Sequence, residues 1–276
     1  MDSLIETIFR DRLRQLYIDL SKAEERGEFN LDEYSYPFVT YIGRNYCDAF
    51  PKIFYVGQAQ RGWGVDQLYH QADNIHLSDA VRLNMPVEVL SEIANNFVTN
   101  SIETYYGGEG GDTYPHSAFW HWIYKLTVSV QQKKPELFSY VGVEKSGLFS
   151  RECFASIAWS NVFKISRLES NPDKRMREFL VESTFNTLQV EIENLDPDLI
   201  VFLTGDTYDS YLRQVFPELV KEAQITDGVT AKEVYRLSGV RDRAIVIRGP
   251  HPRNAPTEKL SQLYDYLKKE RSTANW

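Results

Sequence analysis

Short runs of consecutive apolar residues punctuate a chain whose remaining apolar positions recur with helical spacing. Lys52-Ile53-Phe54-Tyr55-Val56, Ser156-Ile157-Ala158-Trp159-Ser160-Asn161-Val162-Phe163, Leu199-Ile200-Val201-Phe202-Leu203 and Ala244-Ile245-Val246-Ile247-Arg248 are rich in β-branched and aromatic residues, and a Gly or Pro signal follows each. They predict four buried strands. Elsewhere the period is near 3.6. Leu4, Ile8, Leu13, Leu16 and Leu20 predict a helix over 4–25, and helices are expected over 86–98, 118–126, 174–194 and 208–215. A further β element is expected over 233–237, and Pro256 opens a C-terminal helix with Leu260, Leu263, Tyr264 and Leu267 on its inner side. Strands alternating with helices predict α/β architecture: a three-layer α/β/α sandwich around a central, mainly parallel four-stranded sheet. The chain reads as a single domain, with residues 1–50 a helical N-terminal extension.

Composition acts on this picture mainly by exclusion. With 276 residues, 42% hydrophobic and 25% charged, the chain has ample material for a core. No apolar run is long enough to span a bilayer, and Met1-Asp2-Ser3-Leu4-Ile5-Glu6 lacks the pattern of a secretory signal, so a cytoplasmic protein without membrane contact is expected. Cys47 and Cys153 are too few for a disulfide framework, a four-cysteine zinc site or an all-cysteine iron–sulfur cluster, and no cofactor is expected. The net charge of −8 disfavours general electrostatic binding of nucleic acid. Residues 231–259 run against that balance, with seven basic residues to three acidic ones.

Candidate chemistry concentrates where the first and last predicted strands end. Gly57-Gln58-Ala59-Gln60-Arg61-Gly62-Trp63-Gly64 follows one, and Gly249-Pro250-His251-Pro252-Arg253-Asn254 follows the other. Loops at the carboxyl ends of parallel strands share a crevice, which is where open α/β sheets bind ligands. A glycine-rich stretch, Gly107-Gly108-Glu109-Gly110-Gly111-Asp112, precedes the helix that carries Phe119, Trp120 and Trp122. It matches neither a dinucleotide-binding loop nor a P-loop.

At these residues the chain resembles the uracil-DNA glycosylase superfamily. There the first strand ends in a Gly-Gln-Asp-Pro or Gly-x-Ala-Pro loop and the last in His-Pro-Ser. The matching positions here are Gly57-Gln58-Ala59-Gln60 and His251-Pro252-Arg253-Asn254, and Asn161 looks like the family's base-reading asparagine. The likeness runs in order over residues 52–267. It implies a uracil-DNA glycosylase-like fold and a monofunctional, metal-independent glycosylase that acts on double-stranded DNA without an obligate protein partner. A base inside a duplex must be flipped out, stacked upon and read along its edge. Asn161 can donate to and accept from a pyrimidine edge. Phe119, Trp120 or Trp122 can supply the stacking wall, in a helix otherwise expected to be core. His251 can stabilise charge growing on the base oxygen. Arg253 and Asn254, in place of the family's small serine, are expected to grip the DNA backbone, and Lys164 is assigned to the same contact. Neither loop holds a lysine able to form a Schiff base, so lyase activity is not expected.

Two departures from the family pattern redirect the expected substrate. Ala59 stands where the best-known branch has the aspartate that positions water, so this role passes to Gln58 or to a carboxylate from Asp66, Glu109 or Asp112. Asp112 is favoured because it immediately precedes the aromatic helix. Arg61 stands where the uracil-specific branch has a tyrosine that blocks 5-substituents, and with Gln58, Gln60 and Asp66 it could bind a polar substituent there. The expected reaction is excision of a bulky 5-modified pyrimidine, such as glucosylated hydroxymethylcytosine in phage DNA, leaving abasic sites in an antiviral defence. The alternatives are repair of uracil or a damaged base, and a non-catalytic nucleic-acid binding module on the same fold.

Overall fold

The computed structural model describes residues 2–59, 76–106, 118–132, 152–168, 170–205, 208–215, 220–226, 231–236 and 244–249. In chain order these form α1 (Asp2–Glu25), β1 (Tyr41–Ile42), β2 (Ile53–Ala59), α2 (Leu77–Arg82), α3 (Val87–Tyr106), α4 (Ala118–Gln132), α5 (Glu152–Ala155) and β3 (Ile157–Phe163). Then follow α6 (Lys174–Glu182), α7 (Leu188–Leu195), β4 (Leu199–Phe202), α8 (Asp209–Val215), β5 (Val220–Thr226), β6 (Ala231–Arg236) and β7 (Ile245–Arg248). The predicted C-terminal helix lies outside the described residues.

The fold is α/β. All four predicted strands form, and β3, β2, β4 and β7 lie side by side and parallel. Their residues are almost completely buried, as a parallel sheet covered on both faces demands. The sheet is nevertheless larger than expected. It has seven strands in the order β1-β3-β2-β4-β7-β6-β5, because antiparallel β1 borders β3 and an antiparallel β5–β6 pair extends the sheet beyond β7. β6 matches the expected element over 233–237, whereas the Val-Lys-Glu-Ala-Gln-Ile-Thr of β5 has no clean alternation to announce it. Asp198 aligns the amino ends of the parallel strands. Its carboxylate accepts from Lys52 N at 2.8 Å, its own N–H donates to Lys52 O, and its carbonyl accepts from Ile245 N.

Of the expected N-terminal extension, the described residues 2–50 contribute to the main core and to the edge of the sheet. Ile5, Ile8, Phe9, Leu13, Leu16, Tyr17, Leu20 and Ala23 of α1 are buried in the main core. The Tyr17 hydroxyl donates to Met85 O, tying α1 to the turn before α3. Downstream, Ser35, Phe38, Gly43 and Asn45 donate backbone hydrogen bonds to Ser166, Lys164, Ile157 and Ala155, so this segment runs antiparallel along the outer edge of β3. An edge that would otherwise expose unpaired amides is thereby closed.

The helix expected over 174–194 is two helices. Ser183 interrupts it in an extended conformation, its hydroxyl donating to Leu180 O at 2.9 Å and accepting from Phe185 N. Such local side-chain bonds compete with the helix ladder. The break turns Phe185 onto Phe9, with ring centroids 5.8 Å apart, and gives α7 its own direction.

Candidate functional site

The register of the parallel strands determines what meets at their carboxyl ends. Ile157, Ile53, Leu199 and Ile245 share one rung, and Trp159, Tyr55, Val201 and Ile247 share the next rung on the same face. One step further Asn161 pairs with Gly57, and continuing the register adds Leu203 and Gly249. The strand ends remain joined there. Leu203 N donates to Val56 O at 2.8 Å, Gly249 N to Phe202 O at 2.9 Å and Gly205 N to Gly249 O at 3.0 Å. Two glycines, Gly57 and Gly249, stand in this row, and the Asn161 amide packs where a Gly57 side chain would be.

α4 roofs the same face. The Tyr55 hydroxyl bonds Thr127 Oγ1 at 2.8 Å and donates to Ile123 O, and burial pushes its pKa well up, so it serves as a neutral anchor for the helix. This anchoring brings Phe119 close to Gly57. A Cβ on Gly57 would lie 3.5 Å from Phe119 Cζ and from Trp159 Nε1, and would overlap Asn161 Oδ1. Glycine at 57 is therefore required by the close approach of the Asn161 amide. Asn161 itself is 1% exposed, and its Nδ2 has no hydrogen-bond partner among the described residues. Leaving a buried donor unpaired costs about 1–3 kcal/mol, which marks the group for a ligand or for strain.

The other predicted residues separate clearly. Trp120 is core: it is 4% exposed and packs edge-on against Trp159 at 4.9 Å and Phe154 at 5.9 Å, so it is no stacking wall. Trp122 is also buried, with Cη2 3.8 Å from where a Cβ of Gly249 would stand. Phe119, half-buried and edge-on to Trp159, is the ring of this helix that lies beside Gly57.

Gln58 and Ala59 fall within β2 instead of a loop. Alternation sends the Gln58 side chain to the face opposite Asn161. There its Nε2 donates to Thr204 O at 2.7 Å and its Oε1 accepts from Asn171 at 3.3 Å. It clamps two loops together, which removes it from the water-positioning role beside Asn161. Ala59 pairs with Phe163 and is half-buried. Lys164 does not reach DNA. Its Nζ is buried and ion-paired with Glu191 on α7 at 2.6 Å. His251, Arg61, Asp66, Asp112, Arg253 and Asn254 lie outside the described residues.

Sequence reasoning missed Trp159 and the Lys164–Glu191 pair. Trp159 was within reach, since it stands two residues before Asn161 and strand alternation places both on one face. Glu191 carries no such signal, because its partner comes from another element. Near the far end of β7, Arg248 pairs with Asp209 of α8 at 3.1 Å, bracing the segment that follows β4 against the last strand. Two grooves of about 360 and 320 Å³ beside α1 and α3 contain none of the predicted site residues and are lined in part by Glu6, Glu88 and Glu92.

Among the described residues no helix is long and apolar enough to cross a membrane. No family model matches the chain, and neither the curated proteins nor the solved structures searched contain a match.

Proposed function

We propose that the protein is a DNA glycosylase of the uracil-DNA glycosylase type, and that a flipped-out base is received at the ends of β2 and β3, beside Asn161 and Gly57. The observation that carries this reading is the buried Asn161 Nδ2, which has no hydrogen-bond partner among the described residues and stands at the strand end where Gly57 lets its amide approach. The parallel quartet β3-β2-β4-β7 supports the same architecture.

In this reading a pyrimidine lies over Gly57 with Phe119 against its ring, and Asn161 Nδ2 donates to an acceptor on its edge. His251, three residues beyond β7 in sequence, donates to the base oxygen as negative charge accumulates there. The bond between the base nitrogen and the sugar carbon breaks, the electron pair leaves with the base, and water adds to the oxocarbenium-like sugar. Water loses a proton in that step. Asp112 is the group assigned to accept it, now that Gln58 is committed to the opposite face. Arg61, in place of a blocking tyrosine, admits a polar 5-substituent, so the substrate is a bulky modified cytosine of phage DNA.

A second reading, a non-catalytic nucleic-acid binding module, is favoured by the clamp on Gln58 and by Ala59, which together leave the Asn161–Gly57 row without a carboxylate. Incubating the protein with genomic DNAs that differ only in cytosine modification, followed by mass spectrometry of released bases, separates the two. Release of a modified cytosine by the wild type, lost in Asn161→Ala, is the expected result. Binding without release of any base supports the module instead, and efficient release of uracil alone moves the substrate to repair.

A further inference from the structure

Beneath Asn161 the sheet carries a second buried polar cluster, on the side facing α7. Lys164 and Glu191 form an ion pair with side chains 2% and 0% exposed. The same ammonium donates to the backbone carbonyl of Asn161 at 2.9 Å and to the Ser160 hydroxyl. Two further elements contribute to the cluster, although Glu191 Oε2 has no hydrogen-bond partner among the described residues. Thr187, at the N-cap of α7, donates to Glu191, and Thr40, in the segment along the edge of β3, donates to Ser160 at 3.3 Å. Burial lowers the Lys164 pKa, and Glu191 opposes that shift.

Volume alone does not call for such a pair. Well-packed apolar side chains fill comparable space without the cost of stripping water from two charges, and replacing a buried pair this way is often neutral or stabilising. What the ammonium adds is direction: its donors reach Glu191, Ser160 and the carbonyl of Asn161. We infer that Lys164, held in place by Glu191, is a positioning residue that sets the backbone of Asn161 and so aims its side-chain amide over Gly57. This rests on reading the Asn161–Gly57 strand end as the base site, and it assigns the pair a role in base recognition in addition to folding.

The test compares the full-length wild type with the double variant Lys164→Met/Glu191→Met, which removes both charges and leaves neither alone in the core. Each is made with Asn161 intact and with Asn161→Ala. The first readout is the side-chain amide signal of Asn161 in ¹⁵N-labelled protein, identified by its disappearance in Asn161→Ala. It should shift or broaden in the double variant while the other asparagine side-chain signals stay in place. An unchanged Asn161 signal overturns the inference.

The second readout is single-turnover base release. The double variant should lose about tenfold to a hundredfold when Asn161 is present, the scale expected of a misplaced active-site group. The further loss should be less than about twofold in the Asn161→Ala background, because groups acting through one another are not additive. Equal losses in both backgrounds also overturn it. If the wild type releases no base from any DNA while the Asn161 signal still moves, the glycosylase reading fails and the positioning role stands.

Discussion

The two sides of β3 at its carboxyl end carry buried polarity of different kinds. Facing α7, Lys164 is a charged group with acceptors in Glu191, Ser160 and the Asn161 carbonyl. Facing α4, Asn161 presents a neutral amide, packed over Gly57, whose buried donor has no partner among the described residues. Pairing is incomplete on both sides, since Glu191 Oε2 is also buried without a partner among the described residues, and each such atom costs stability in a low-dielectric interior. The contrast lies in what removal does: taking away one ion of the pair strands a buried charge, whereas taking away the Asn161 amide removes an unpaired donor.

The sharpest way to break the comparison is to remove half of the paired side. Lys164→Met alone leaves Glu191 as an uncompensated buried charge and should cost about 3–5 kcal/mol in denaturant unfolding, while the double methionine variant recovers most of it. If the single variant unfolds no more easily than the wild type, the pair is not a structural support. Next comes Gly57. Gly57→Ala places a methyl group onto Asn161 Oδ1 and should cost about 1–3 kcal/mol by overpacking, with base release lost because the amide is displaced.

Asn161→Ala should do the reverse of Lys164→Met. Its Nδ2 contributes no hydrogen bond to the fold, so stability should stay within about 1 kcal/mol of the wild type, while base release falls by about a hundredfold or more. A stability loss as large as that of Lys164→Met would make Asn161 a structural residue and dissolve the contrast.

The smallest effect is a control distant in kind from the site. Asp173 caps α6 and binds the Tyr34 hydroxyl at 2.5 Å and Arg167 at 2.9 Å. Desolvation raises its pKa, but the bonds from Tyr34, Met176 N–H and Arg167 outweigh that and hold the carboxyl below its ordinary value. A lowered carboxyl stabilises the fold above the ordinary aspartate range, near ~4, and the contribution disappears as pH falls through the lowered value. Asp173→Asn should therefore flatten the acid limb of unfolding midpoints, by about 1 kcal/mol or less because the ion pair is partly exposed. An acid limb identical to the wild type would show that the latch contributes nothing there.

Legibility in the sequence followed the range of the interactions. The runs at 52–56, 156–163, 199–203 and 244–248 were readable because a strand buried on both faces must be apolar at nearly every position. The helices α1 and α4 were readable from their apolar content. The interruption at Ser183 was not, since serine, asparagine and threonine also occur inside helices and only the docking of Phe185 on Phe9 settles the bend. β1 was invisible for a similar reason: two residues carry no period, and their partner lies more than a hundred positions along the chain.

The same division runs through the candidate site. The parallel quartet, the glycine at the end of its second strand and the amide at 161 were legible in the chain alone. They depend on local pattern and on the stereochemistry of single residues. Packing settled that Phe119 and not Trp120 lies beside Gly57, that Gln58 is spent as a clamp, and that Lys164 is buried against Glu191. Those outcomes depend on register and on which helix covers which face, so the decisive partner is never the neighbour in sequence.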